Sequence, residues 1–400
     1  MNTPRWSDIS LSAVTAGFVA VLVGFTSSVA IVFQAAQSLG ATPAQTASWM
    51  WALGWGMGLA TLLPSLWLRK PVMIAWSTPG AAVLAVAGAA GHFGLAEATG
   101  AFLVSALLVV AAGASGWFER VMDRIPMPLA GALLAGVLAR FGLDAFAAAG
   151  SSLALVLAML AAYVCGRRWW PRYAVVGVLA VGVAVAAAAG TLQATRVPWT
   201  LTAPVFVAPE FTWRAMVSLA LPLFVVTMAS QNLPGVAAIR AAGYVLPISK
   251  LIVLTGVATL VLAPFGAFAL NLAAITAAIC MGREAHPDPA RRWVAAAACG
   301  LLYCAIGAYG AAVAGLLAAF PRELIAAVAG LALLGTIASG LNSAVADERH
   351  REAALITFLV TLSGLTIAGI GAAFWGLVAG ALTLLVQQWR PGAARARHRP

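Results

Sequence analysis

Adjacent side-chain amides are costly inside an apolar run, and Gln231 and Asn232 stand in such a run: Thr227-Met-Ala-Ser230-Gln231-Asn232-Leu-Pro234-Gly235. Each amide carries two N–H donors and a carbonyl acceptor, all of which need partners where water is absent. With Ser230 the pair suits a bound carboxylate or a held water. It equally suits backbone carbonyls freed by Pro234, or a bridge to a neighbouring helix. Thr26, Ser27 and Ser28 form a weaker set, because hydroxyls bond readily to their own helix.

A second constellation lies at 71–91. Val72-Met-Ile-Ala-Trp76 reads as extended chain, and Ser77-Thr78-Pro79-Gly80-Ala81 as a capped helix start with proline in its first turn. Roughly 20 Å of strand and 15 Å of helix would cross a hydrocarbon core of about 30 Å and leave the helix N-terminus near the midplane. The unpaired N–H groups and positive end of such a half-helix suit an anion. A proline-kinked helix is the plainer alternative. Pro264-Phe265-Gly266-Ala267-Phe268-Ala269-Leu270-Asn271 offers a second break before a second half-helix, with close packing at Gly266 as its plainer reading. Facing one another, the two ends would make an anion site from Ser77, Thr78, Gly80 and Ala81 on one side and Phe265, Gly266, Ala267 and Asn271 on the other. Ser230, Gln231 and Asn232 would stand beside them, and Phe33, Phe265 and Phe268 are candidates to receive an apolar ring.

Ionisable groups are sparse. No Asp, Glu or His falls at mid-membrane, and Asp144 and Glu323 sit at span ends where caps or surface charges are expected, so the proton-coupling residue stays unassigned. His286 and Asp288 in a Pro-rich loop are poor evidence for a metal and suit a gate or turn. Cys165, Cys280, Cys299 and Cys304 lie in apolar stretches without ligand or disulfide spacing. No cofactor or metal is expected. His92, His286, His350 and His398 all lie in or beside loops, and no nucleophile, base and orienter are evident for an enzyme.

The elements that must position these groups follow from composition. Of 400 residues 62% are hydrophobic and 9% charged, against about a quarter charged in soluble domains. The chain therefore belongs in a bilayer as an all-α multi-pass protein. Candidate spans fall near 12–37, 46–67, 71–91, 98–117, 127–144, 151–166, 173–192, 213–238, 244–261, 263–282, 293–317, 323–342, 353–368 and 370–389, fourteen in all, with twelve if neighbours merge. The first run lacks a cleavage site and is expected to remain in the mature protein.

Charge placement gives the orientation. With the N-terminus inside, nineteen of the 23 Lys and Arg collect on one face, leaving only Arg140, Arg196, Arg214 and Arg322 outside. The net charge of +11 is then topology and not a nucleic-acid surface, which would need local density. Both termini are cytoplasmic in this scheme, and the basic tail 390–400 is expected to face lipid. The linker 194–212, with Pro198, Pro204 and Pro209, separates a seven-span repeat at 1–193 from an inverted one at 213–389. Two short echoes in common order support the repeat: Gln37 to Pro43 with Arg240 to Pro247, and Pro79 to Leu84 with Phe265 to Leu270.

Ala75-Trp-Ser-Thr-Pro-Gly-Ala81, the run Thr227 to Gly235, Ile275-Thr-Ala-Ala-Ile-Cys280 with Glu284-Ala-His-Pro-Asp-Pro289, and Gly369-Ile-Gly-Ala-Ala-Phe-Trp-Gly-Leu-Val-Ala-Gly380 carry a resemblance. Together they resemble the BenE-type benzoate/proton symporter family of bacterial inner membranes, from about Ser12 to Leu385. By wider similarity, the uracil and nucleobase transporter fold is implied: seven plus seven inverted spans, core and gate domains, and broken third and tenth spans. One departure matters. Nucleobase carriers use acids in the eighth and tenth spans, where this sequence has Gln231, Asn232 and Asn271. The expectation is symport of benzoate or a related aromatic carboxylate with a proton, by alternating access between a core of spans one to four and eight to eleven and a gate domain. An uncoupled anion channel or exchanger and a nucleobase-type transporter are the alternatives. A homodimer through the gate domain stays open.

Overall fold

The computed structural model describes residues 10–26, 28–90, 93–116, 127–171, 174–192, 199–283, 285–365, 367 and 372–388. Ser27, Glu284, Gly369 to Gly371, linker residues 194–198, the tail 390–400, and Arg5, Arg120, Arg124, Arg172 and Arg196 lie outside the described residues. The first part of the chain forms α1 (Leu11–Thr26), α2 (Val29–Ser38), α3 (Pro43–Leu68), β1 (Ile74–Trp76), α4 (Thr78–Ala89), α5 (Leu95–Ala114), α6 (Met127–Ala147), α7 (Leu153–Trp169) and α8 (Ala174–Ala188). The second part forms α9 (Trp213–Arg240), α10 (Ile248–Leu262), β2 (Leu270–Leu272), α11 (Ile275–Met281), α12 (Trp293–Ala308), α13 (Gly310–Ala318), α14 (Arg322–Val345), α15 (Arg351–Leu362) and α16 (Ala372–Gln388).

Local chemistry sets the breaks. Thr42 opens α3 with a reciprocal capping box to Gln45 and proline in the first turn, and Arg69 closes it in the left-handed region at φ 50°. The chain then runs extended into β1, which pairs antiparallel with β2 in the register Ile74 to Leu272, Ala75 to Asn271 and Trp76 to Leu270. Two short strands buried in an apolar interior must still satisfy their outer edges. Helix α3 does this for β1 at four-residue spacing: Ser65 Oγ accepts the N–H of Val72 (3.0 Å), Thr61 Oγ1 that of Ile74 (3.1 Å) and Met57 Sδ that of Trp76 (3.2 Å). For β2, Thr259 Oγ1 on α10 accepts the N–H of Leu270 (3.2 Å) and Asn232 Oδ1 on α9 that of Leu272 (2.9 Å).

The helices pack in two groups. One contains α1 to α5 with α9 to α13, centred on α3 against α12, α5 against α10, and α1 against α12 and α11. In the α3–α12 contact a Cβ on Gly54 would lie 2.5 Å from the Cα of Gly307, so the backbones approach through paired glycines. The other group joins α6 to α14 and α15, α7 to α8, and α15 to α16.

Among the described residues six helices are long and apolar enough to cross a membrane, or seven if the pair Pro289–Ala308 and Gly310–Leu316, bent by 74°, counts as one span. The segments at 71–91 and 263–282 do not qualify as long helices because each spends part of its length as strand. The protein is a helical multi-pass membrane protein.

Candidate functional site

A cavity of about 820 Å³ lies between the two packing groups. One wall is built where helices break: Gly24, Phe25 and Ser28 at the α1–α2 junction, Trp76 and Thr78 where β1 meets α4, and Ala273 to Thr276 where β2 meets α11. Ser230 and Gln231 join that wall from α9, and Tyr303 from α12. The opposite wall comes from Gly131 and Leu134 on α6, Arg167 at the end of α7, Val175 on α8, and Ser339, Gly340 and Ser343 on α14.

Aromatic surface and neutral donors dominate. The Phe25 and Trp76 rings meet at 5.4 Å, tilted by 56°. The Trp76 indole N–H donates to Ser28 Oγ at 2.8 Å, and that hydroxyl donates to the Gly24 carbonyl at 3.1 Å. Both polar groups are thereby occupied and the indole is held in the wall. Gly24 permits close approach, since a Cβ there would lie 2.8 Å from Thr276 and 3.1 Å from the Tyr303 hydroxyl. The buried Thr276 Oγ1 has no hydrogen-bond partner among the described residues, which is the condition a bound polar ligand relieves.

The two half-helix starts differ. Ser77 Oγ accepts the N–H of Gly80 at 3.0 Å, and Pro79 has none to offer, so most of the α4 end is already spent. Helix α11 has no side-chain cap, and its first residues line the cavity. It begins at Ile275, later than the break at 264–271 suggests, because Leu270 to Leu272 are drawn into the strand pair.

Of the residues singled out in the sequence, Ser28, Thr78, Ser230 and Gln231 line the cavity. The other substrate-site candidates stand behind its wall. Ser77 caps α4; Gly80 and Ala81 are buried in that helix, a Cβ on Gly80 lying 2.6 Å from Leu223. Asn232 holds β2, lying within a π-helical turn, Met228–Asn232, a departure common at functional sites. Asn271 is fully buried; its amide donates to the Ala269 carbonyl at 3.0 Å while its Oδ1 has no partner. Gly266, at φ 104°, lies where a Cβ would overlap the Trp49 indole, and Ala267 is buried beside it. Phe265 meets Trp51 and Phe206 edge-on, each at 5.9 Å. Phe268 packs with Trp49 and Phe102, and Phe33 is buried.

The sequence reading passed over Phe25, Trp76, Thr276 and Tyr303. Trp76 and Thr276 each carried a signal, standing just before and just after the predicted breaks.

Outside the cavity, Arg292 closes the far end of α11. This buried guanidinium donates to the carbonyls of Met281 (2.7 Å), His286 (2.7 Å) and Pro287 (3.3 Å), setting positive charge at a helix C-terminus. His286 Nδ1 accepts the N–H of Asp288 (3.0 Å), and Asp288 Oδ1 that of Ala290 (2.9 Å), so both serve a turn. Tyr244 donates to the Pro289 carbonyl at 2.8 Å; burial pushes its phenol up, opposed by the nearby Arg292 charge. Among the described residues no group of three His, Cys, Asp or Glu could hold a metal.

A family described as benzoate membrane transport protein matches residues 7–386. The chain belongs to that family. It is thus a membrane transport protein and not an enzyme. It is 50% identical over 382 residues to the inner membrane protein YdcO of Escherichia coli (strain K12), covering 96% of this chain and 97% of the relative. The benzoate membrane transport protein of Acinetobacter baylyi (strain ATCC 33305 / BD413 / ADP1) is 37% identical over 379 residues, covering 95% and 96%. The fold is that of the transmembrane domain of a cyanobacterium bicarbonate transporter BicA, with a TM-score of 0.59 at 14% identity over 96% of this chain and 98% of the other. The murine Slc26a9 anion transporter gives 0.56 at 14% identity, over 96% and 69%.

Proposed function

We propose that the protein is a secondary transporter that carries benzoate or a related aromatic carboxylate with a proton across the bacterial inner membrane. The carrying observation is the cavity, whose wall joins a tilted aromatic pair to neutral donors at two chain breaks. Its volume suits a small ligand. The ring lies against Phe25 and Trp76. The carboxylate accepts from Thr276 and Gln231 near the start of α11, with Thr78 and Ser230 within the same wall. Ser77, Gly80, Ala81, Asn232, Phe265, Gly266, Ala267 and Asn271 act from behind, fixing the strands and half-helices.

Fourteen segments in two inverted repeats, 1–193 and 213–389 about the linker, complete the reading, with both termini and most Lys and Arg in the cytoplasm. Support comes from the matching way β1 and β2 each follow a helix, α3 or α10, that donates side-chain acceptors to them. The two packing groups act as core and gate, moving past one another so that the cavity opens alternately to each side.

Binding to the purified full-length protein tests the substrate assignment. Titration with benzoate, hydroxybenzoates, salicylate and uracil is expected to give binding of the aromatic acids and none of uracil. Preference for uracil would sink the assignment.

A further inference from the structure

Among the described residues no Asp, Glu or His lines the cavity. The described acids stand at helix ends or in connections: Glu97 caps α5 and accepts from Thr212, while Asp288 and Asp347 hold turns. Asp8, Glu119, Asp123, Glu284, His92 and His398 lie outside the described residues; in the sequence Asp8 precedes the first apolar run, His398 follows the last, and the others fall between apolar runs. Among the described residues the ionisable groups of the cavity wall are Arg167 and Tyr303. Arg167 is exposed at the last turn of α7. Tyr303 is buried, and the free thiols of Cys299 and Cys280 are fully buried and do not line the cavity.

We propose that the transported proton rides on the substrate's own carboxyl group instead of on a side chain. This rests on the reading of the cavity as an aromatic carboxylate site. The carboxylate enters ionised from the open side. As the cavity closes and water leaves, desolvation penalises the charge, an effect of about 3 to 5 pKa units at complete burial. Starting from about 4, as for side-chain carboxyls, this brings the group to neutral pH or above. One carboxylate oxygen then takes a proton from hydronium of the bulk solvent at the mouth, an O–H bond forming as the hydronium O–H breaks to leave water, and the neutral acid is what the closed carrier holds. On the other side rehydration reverses the step, returning the proton to water. Thr276 and Gln231 can hydrogen-bond either form, and the single formal charge in the described wall, on Arg167, sits at an exposed rim. One proton and one monoanion cross with no net charge.

Calorimetric titration of the purified carrier in buffers of different ionisation enthalpy reads the protons taken up per ligand bound. 4-Methylbenzoate, benzoate and 3,5-difluorobenzoate, which grow more acidic in that order, are each titrated across a pH series. The proposal expects close to one proton per benzoate below a pH limit, and that limit should fall in the same order. A limit identical for all three acids, or binding with no proton uptake, would overturn it. If none of the three binds at all, the site reading beneath it fails instead.

Discussion

The side-chain oxygen of Asn232 accepts the backbone N–H of Leu272 at 2.9 Å, tying the π-helical turn of α9 to β2. Both groups are fully buried. Asn232→Ala leaves that N–H without a partner, which costs about 1 to 3 kcal/mol. The purified variant should unfold at a lower temperature than the parent. An unchanged midpoint would show that the bond contributes nothing.

Its neighbour Gln231 faces the cavity and should behave oppositely. Gln231→Ala removes a hydrogen-bond donor to the bound acid, a loss of about 0.5 to 1.5 kcal/mol and hence roughly two- to tenfold in affinity. Ligand-free thermal stability should stay near that of the parent. Equal benzoate affinity in both proteins would remove Gln231 from the site.

This split could not be read from sequence, where two adjacent amides look alike. Which one faces a ligand depends on the helical phase of Met228–Asn232, and that turn is π-helical, shifting the face. Extended chain before Ser77 was legible, because proline and a capping serine mark where a helix can begin. The second break was displaced, since nothing local to Leu270 announces that it will pair with Trp76. Trp76 stands just before a predicted break, but an aromatic in an apolar chain is not marked as a ligand contact until the opposite wall is known.

Trp76 supplies ring surface, and its indole N–H is already held by Ser28 at 2.8 Å. Trp76→Leu keeps an apolar side chain but loses the tilted pair with Phe25, a contact worth about 0.5 to 1.5 kcal/mol beyond area. Benzoate affinity should fall up to roughly tenfold, while a short aliphatic acid should be little affected. Equal losses for both acids would argue against ring stacking.

Arg292 gathers three carbonyls at the end of α11. Arg292→Ala should lower the unfolding temperature and speed proteolytic cleavage at 282–292. Lysine should restore only part of the stability, because an ammonium cannot reproduce the planar fork. Full rescue by lysine would reduce the role to charge alone.

The Asp347 carboxyl lies below its usual range, chiefly because the backbone N–H of Arg349 donates to it, and also through the ring of His350 at 2.6 Å. A depressed folded-state value means that its contribution is present above the ordinary carboxylate range and is lost as pH falls through the folded value. Asp347→Asn should therefore narrow the stability difference from the parent in acid. A difference that does not change with pH would contradict this.

Uptake of labelled benzoate into proteoliposomes, corrected for entry into protein-free vesicles, tests the central claim most directly. Lowering the outside pH should drive accumulation above the external concentration, and a protonophore should abolish it. Uptake that ignores the pH gradient and responds only to anion on the opposite side would contradict proton-coupled symport.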